Sequence, residues 1–382
     1  MASSSTFPAV MIGGPPHSGK SVLVYALSRA LRAANTTHYV LRACPDGEGD
    51  WSHETPEERV RLLRQKGRFS SEFVERVRCA IERRHLPLLV DVGGKPTLEQ
   101  EQILRACTHA VLLAATPEGL AEWRERAERC GLIIIAELQS VLHDEDRVDE
   151  KTPVLRGVIS KLERQHPPHG LMVQTLSERL RHLFAFSPEE LKERLFPRAP
   201  TEFIVDLDRL ARSAGTTHWQ PSDLSRILRE IPLTTCSIYE RGPNWLYAAL
   251  ALHIAPEPVF LFNPLLGWVR PPSVVPGEQP SDLLQWKLQT TPTFTWIEAN
   301  PTQAYLDYDE MQQLVAPALD PQRGVVLSGK LPHWLLIGLA LAYRQHPWIA
   351  VVQAQQYDNG VVVWSRDPQY PIGSLVPLSS FP

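Results

Sequence analysis

The sequence predicts an α/β chain in which a doubly wound N-terminal domain precedes two small tandem α/β modules that form an internal pseudo-dimer, and three observations predict it. Over the first half, apolar runs of strand length alternate with amphipathic helical stretches. The first of these runs leads through a Gly/Pro-rich loop into a helix. In the second half the chain repeats itself: GPNWLYAALAL at 242–252 and LPHWLLIGLAL at 331–341 share a Pro-x-Trp-Leu opening and an apolar run, with Trp245 and Trp334 89 residues apart. A period of that length changes the fold reading more than any single motif does.

At 382 residues the chain is too long for one ordinary core. The expected division is 1–196, 201–280 and 290–382. A hydrophobic fraction of 43% with 21% charged residues suits a soluble globular protein, and a net charge of −4 excludes a general nucleic-acid coat. The cysteines, Cys44, Cys79, Cys107, Cys130 and Cys236, show no Cys-x-x-Cys pair or metal-ligand spacing, as expected of buried thiols in a reducing compartment. The opening MASSSTFPAVMIGG lacks a basic segment followed by a long apolar one, and no run approaches the ~20 residues of a membrane span. A cytoplasmic protein without a membrane partner is the expectation.

The first element in order is PAVMIGGPPHSGKSVLVYALSRALRAA, a short strand, a loop and an amphipathic helix that together contain Gly14-x-x-x-x-Gly19-Lys20-Ser21. This is the full phosphate-loop pattern in the context it requires. The glycines let consecutive backbone N–H groups turn inward around a polyphosphate, and the helix aims its positive dipole end at the same anion. Gly14, Ser18, Gly19, Lys20 and Ser21 are therefore the nucleotide-binding candidates. Lys20 would neutralise the β/γ-phosphates of ATP, Ser21 would ligate Mg²⁺, and His17 only shapes the loop.

Downstream, THYVLRA, LPLLVDVGG, HAVLLAA and LIIIAEL read as strands; SEFVERVRCAIERRH, TLEQEQILRAC and TPEGLAEWRERAERCG read as helices. Thr97 with Gln100 fits a capping box, and Thr116 before Pro117 fits an N-cap. Asp91 closes the run LPLLVD, where a carboxylate would help hold the Mg²⁺. Asp46, Glu48 and Asp50 either face a phosphate acceptor or form an acidic solvated turn. Arg156, in TPVLRGVISKLERQ and read as one arginine among many on helical faces, is a candidate to reach the γ-phosphate. No lid with sensor residues is readable, so ATPase or kinase of the phosphate-loop class is as far as these residues go.

FAFSPEELKERL predicts a helix starting at Ser187 and Pro188, and FPRAP at 196–200 breaks the pattern as a linker does. EFIVDL, PSDLSRILREI and the first Pro-x-Trp helix follow. The Pro-rich stretch RPPSVVPGEQPS then separates this unit from PTFTWIEA, YLDYDEMQQLV and the second Pro-x-Trp helix, which restate the order strand, helix, strand, helix, strand. Trp245 and Trp334 are read as core anchors.

The second copy, LDPQRGVVLSGKLPHWLLIGLALAYRQHPWIAVV followed by YDNGVVVWSRDPQYPIGSLV, resembles the CRISPR-associated ring nucleases of type III systems, which degrade cyclic tetra-adenylate. The frame runs from Asp320 and Pro321 through Gly324, Ser328, Gly329, Pro332 and Trp334 to Trp348, Pro368, Tyr370 and Gly373; the first copy keeps Arg241, Gly242, Pro243, Trp245, Leu246 and Tyr247. The resemblance covers nearly half of the chain, and such modules are associated with an N-terminal AAA-like phosphate-loop domain. It implies that two copies build within one chain the dimer that single modules build from two, a symmetric holder for a cyclic oligoadenylate. It also implies that the turn before each helix cradles the ligand's phosphates, which places Arg241, Gly242 and Asn244 in one copy and Ser328, Gly329 and Lys330 in the other.

The family's helix-end histidines are matched by Leu252 and Ala255 and by Leu341 and Arg344, with His253 and His346 as shifted catalytic candidates. Its Asp-Pro-Arg is replaced by Asn263-Pro264-Leu265 and by Gln353-Ala354-Gln355. Asn, Gln and Leu cannot serve as a carboxylate base, a good Mn²⁺ ligand or a cation for a phosphorane. Three readings follow: an ATP-binding enzyme whose modules bind the messenger and either cleave it weakly, with Mn²⁺, or let it regulate the phosphate-loop domain; a non-cleaving sensor; and a phosphate-loop kinase whose modules serve oligomerisation. A homo-oligomer is expected in each.

Overall fold

In the computed structural model, which describes residues 6–44, 71–143, 145–163, 170–302, 306–352 and 359–378, the chain divides into two units of mixed α/β structure. One comprises Met1–Arg194 with Pro264–Gly267; the other comprises Leu195–Asn263 with Trp268–Pro382. The acidic turn at Asp46, Glu48 and Asp50, and the replacement at Gln353, Ala354 and Gln355, lie outside the described residues.

The first unit runs β1 (Ala9–Gly13), α1 (Lys20–Ala33), β2 (Tyr39–Ala43), α2 (Ser71–Glu82), β3 (Leu88–Val92), α3 (Glu101–Arg105), β4 (His109–Ala114), α4 (Pro117–Arg129), β5 (Ile133–Val141), β6 (Arg147–Glu150), β7 (Leu155–Ser160), α5 (Leu171–Leu183) and α6 (Pro188–Leu195). Seven strands form one sheet in the order β2-β3-β1-β4-β5-β7-β6, parallel except for β6. Strand β1 is buried on both faces, so it reads as an unbroken apolar run. Val10 and Ile12 pack with Leu23 and Leu27 of α1 and Leu176 of α5; Ala9 and Met11 pack on the other face with Val77 of α2 and Trp123 of α4.

Local chemistry sets the helix starts. Thr97 and Gln100 exchange the two bonds of a capping box, Thr116 Oγ1 accepts from Gly119 N–H at 3.2 Å, and Ser187 and Glu190 form a second box. One expectation fails here. Within TPVLRGVISKLERQ, Leu155–Ser160 is not helical but strand β7, because Val158 and Ile159 are β-branched and a place beside β5 buries them.

The second unit continues with β8 (Ile204–Asp206), α7 (Leu207–Ser213), α8 (Leu224–Arg229), β9 (Cys236–Tyr239), α9 (Asn244–Ile254), β10 (Val259–Asn263), β11 (Gly267–Val269), β12 (Val275–Gly277), β13 (Leu284–Thr290), β14 (Phe294–Pro301), β15 (Val315–Pro317), β16 (Gly324–Ser328), α10 (His333–Ala342), β17 (Trp348–Val352), β18 (Asn359–Ser365) and β19 (Leu375–Pro377). One sheet has the order β11-β10-β9-β8 and another the order β13-β14-β16-β17-β18-β19. In both, the strand before the Pro-x-Trp helix lies between two parallel neighbours: β9 between β8 and β10, and β16 between β14 and β17.

Three details differ from the expected pattern. YLDYDEMQQLV gives only a 3₁₀ turn at Glu310–Gln313, since too few residues separate the Asp307 turn from Val315. Part of the Pro-rich separator is strand β12, paired in parallel with β15. Strand β13 forms an unforeseen antiparallel hairpin with β14.

The two Pro-x-Trp helices share one core. Helix α9 is apolar on every side and almost wholly buried, packing on α10 and also on β17 and β18 of the other sheet. Trp245 and Trp334 lie in that core at 0% and 3% exposure. At their starts, the Tyr247 and His333 rings stack at 4.2 Å; past their ends, Arg344 Nη2 donates to Ala255 O at 2.6 Å. Helices α9 and α10 therefore run side by side in the same sense.

Candidate functional site

In the first unit, β1 carries the chain to the loop between its parallel neighbours β3 and β4, with Ile12 level with Asp91 and Gly13 level with Leu112. Gly14 sits against the Leu113 carbonyl, and Ser18 turns its Oγ across the loop toward Gly14. Gly19 adopts φ 90°, a left-handed conformation that reverses the chain into α1. The outer wall is made by Gly94 against Pro16, Gly119 against Pro15 and Leu162 against Gly19. Helix α1 has no side-chain cap and no acidic residue in its first turn, so its leading N–H groups are available to an anion.

Lys20, the first residue of that helix, is 8% exposed, and its Nζ donates to Pro15 O at 2.7 Å. Burial pushes its ammonium below the usual range, while the nearby Asp91 carboxylate and Cys44 pull the other way. Asp91 is itself buried. The Ser18 hydroxyl is buried without a hydrogen-bond partner among the described residues, a cost that a ligand oxygen would relieve. Ser21 follows Lys20 in the first turn. The structure thus brings Gly14, Ser18, Gly19, Lys20, Ser21 and Asp91 to one loop.

Arg156 is not among them. Its guanidinium binds Glu137 Oε2 at 2.9 Å and Glu150, and Arg124 also pairs with buried Glu137. Removing it from that network would leave a buried carboxylate short of a partner, so it serves the sheet.

In the second unit, the turns Glu240–Pro243 and Gly329–Pro332 play the same part, each passing from the carboxyl end of a strand into an uncapped helix with proline at the cap position. Neither α9 nor α10 has an acidic residue in its first turn. Arg241 and Lys330 are exposed, each at the entrance to its turn. Gly242 packs on Leu207, and Asn244 opens α9 where His333 opens α10. Stacked on Tyr247, His333 lies between the two helix starts, and burial pushes its imidazole down to about 4.

The turns are braced differently. In the first copy the Tyr247 hydroxyl donates to the carbonyl of Glu240, a residue at φ 75°. In the second, Gly329 at φ 124° lies so close to the Ala299 carbonyl that a side chain would collide with it. Ser328 is paired with Glu298, Asn300 Oδ1 accepts from Lys330 N–H at 3.2 Å, and Asn300 Nδ2 donates to Glu298 Oε1 at 3.0 Å. Sequence reasoning missed Glu298 and Asn300 because the register of β14 against β16 is what brings them to the turn.

His253 and His346 are not brought to these turns. They lie toward the other ends of α9 and α10, each hydrogen-bonded to a backbone carbonyl: Ile231 O at 3.2 Å and Arg323 O at 2.9 Å. Among the described residues, no group of three His, Cys, Asp or Glu side chains is arranged to hold a metal ion.

The three turns thus lead into uncapped helix starts, one in the first unit and two side by side in the second. Residues 299–377, which include the second turn and α10, match the model of a family described as CRISPR-associated protein (Cas_csx3). That match supports a CRISPR-related role. No curated protein matches the chain. No helix among the described residues is long and apolar enough to cross a membrane.

Proposed function

We propose that the first unit binds ATP and turns it over, and that the second binds a cyclic oligoadenylate across its paired turns, both in the service of CRISPR antiviral signalling. One observation carries the messenger-binding half. Two uncapped helix starts, each entered through a cationic turn, meet side by side within a unit that includes the Cas_csx3 match. A ring of nucleotides repeats its phosphate at regular intervals, so paired like turns engage two phosphates at once.

For the first unit, the orphaned Ser18 hydroxyl and the buried Lys20 both suit a polyphosphate. Lys20 would leave the Pro15 carbonyl for the β/γ-phosphates, and Ser21 and Asp91 would hold Mg²⁺. When bound, the ion neutralises charge on the phosphates. Residue types favour neither ATPase nor kinase chemistry, and the acceptor is water in the simpler reading.

For the second unit we propose binding without cleavage. His253 and His346 are engaged by carbonyls away from the turns, and Asn263 replaces the family's aspartate. The test is incubation of the full chain with labelled cyclic tetra-adenylate, with and without ATP and Mn²⁺, reading binding and linear products separately. Binding without products is expected. Products would make the unit a ring nuclease, and absence of both would remove the messenger and favour the kinase reading.

A further inference from the structure

The phosphate loop accounts for a polyphosphate but not for what the polyphosphate is attached to. Its flanks differ in chemistry. On the β3 side lie Gly94 against Pro16 and the carboxylate of Asp91, which acts on Lys20. That is the end for a terminal phosphate and its metal ion. A nucleotide therefore leaves the loop on the opposite flank, beyond β4, where Gly119 lies on Pro15 and Leu162 on Gly19.

The turn after β7 brings Leu162 there. Lys161 adopts φ 54°, unusual for a residue with a side chain, and its N–H donates to Val141 O at 3.2 Å. Leu162 then packs its side chain so closely on Gly19 that a Cβ there would meet Leu162 Cδ1 at 2.6 Å, while it also contacts the core beneath α1. The Lys161 side chain is exposed and makes no ion pair among the described residues. Beside this wall, the buried Ser18 hydroxyl faces across the loop without a partner, which points independently to a ligand.

We infer that Lys161 and Leu162 form the nucleoside side of the site, so that the first unit selects a nucleotide over a bare polyphosphate. Leu162 closes the loop at Gly19, and Lys161 lays its aliphatic stem along the ribose or base with its ammonium in solvent. The inference rests on the phosphate-loop reading and replaces Arg156 with the neighbouring turn as the contribution of β7 to the ligand.

The test compares ATP with inorganic tripolyphosphate as competitors of a fluorescent ATP analogue on the full-length protein. Lys161→Ala, at an exposed position, is expected to keep the wild-type melting temperature, weaken ATP about fivefold and leave tripolyphosphate within about twofold. Leu162→Ala is expected to show the same split, with a larger loss for ATP. Unchanged ATP affinity in both variants, or equal losses for the two competitors, would overturn the inference while leaving the phosphate loop intact. A wild-type protein that binds neither would overturn the nucleotide reading and this inference with it.

Discussion

The buried loop of the first unit and the paired turns of the second each set a cationic residue at an uncapped helix start, by different physical means. The first buries its cation: Lys20 is desolvated and bonded to the loop's own carbonyl, and Gly94, Gly119 and Leu162 pack on the loop at Pro16, Pro15 and Gly19. The second leaves Arg241 and Lys330 in water and makes the backbone rigid, through Tyr247 in one copy and Asn300 in the other. A charge held in low dielectric acts strongly on one phosphate, whereas exposed charges act weakly and gain by number. The first arrangement suits chemistry on one bond, and the second suits capture of a ligand with several phosphates.

The largest effect that would break this contrast is at Lys20. Lys20→Ala is expected to lower ATP turnover by about a hundredfold or more, because a buried cation cannot be replaced by water. Unchanged turnover, measured by phosphate release, would mean that the first unit does not use its loop.

His333 tests the contrast from the other side, since it places a desolvated imidazole at the paired turns, stacked on Tyr247. With its imidazole held down at about 4 against an ordinary value near 6.5, the unfolded chain binds the proton more tightly than the folded one. Stability is then full above pH ~6.5 and falls as pH drops toward ~4, by about 2 kcal/mol between pH 7.5 and 5. Chemical denaturation at the two pH values reads this directly. His333→Asn, which installs the residue of the first copy, should flatten the dependence; an equal slope in the variant would place the titration elsewhere.

The exposed cations come last. Arg241→Ala and Lys330→Ala are each expected to weaken cyclic tetra-adenylate about tenfold at low salt and to reduce the salt dependence of binding, with little change near 0.5 M salt. Loss in only one of the two variants would mean that the ligand uses one turn.

Contiguous features were legible in advance. The strand, the turn at Gly19 and the helix that follows, the Thr97–Gln100 box and the Thr116 cap are set within a few residues, where local chemistry decides. The two Pro-x-Trp helix starts were legible because proline and tryptophan recur at matching places. What escaped was whatever depends on register between distant segments. Leu155–Ser160 looks helical beside its charged neighbours until β5 offers it a place, and Arg156 changes role with it. Asn300 is thirty residues from Lys330 and meets it only because β14 lies beside β16. Leu162 reaches Gly19 for the same kind of reason, with six strands intervening in sequence.

Helix α9 carries a consequence for how such a chain can change. Two segments with their own sheets normally remain separable, each able to fold when the other is lost. Here the central helix of the earlier half has been lent to the sheet of the later one, and Trp364 and Val363 sit in the same core as Leu250 and Ala251. Neither half retains a complete interior of its own. A cut near residue 280 should therefore yield two insoluble fragments, and drift in one half must be answered in the other.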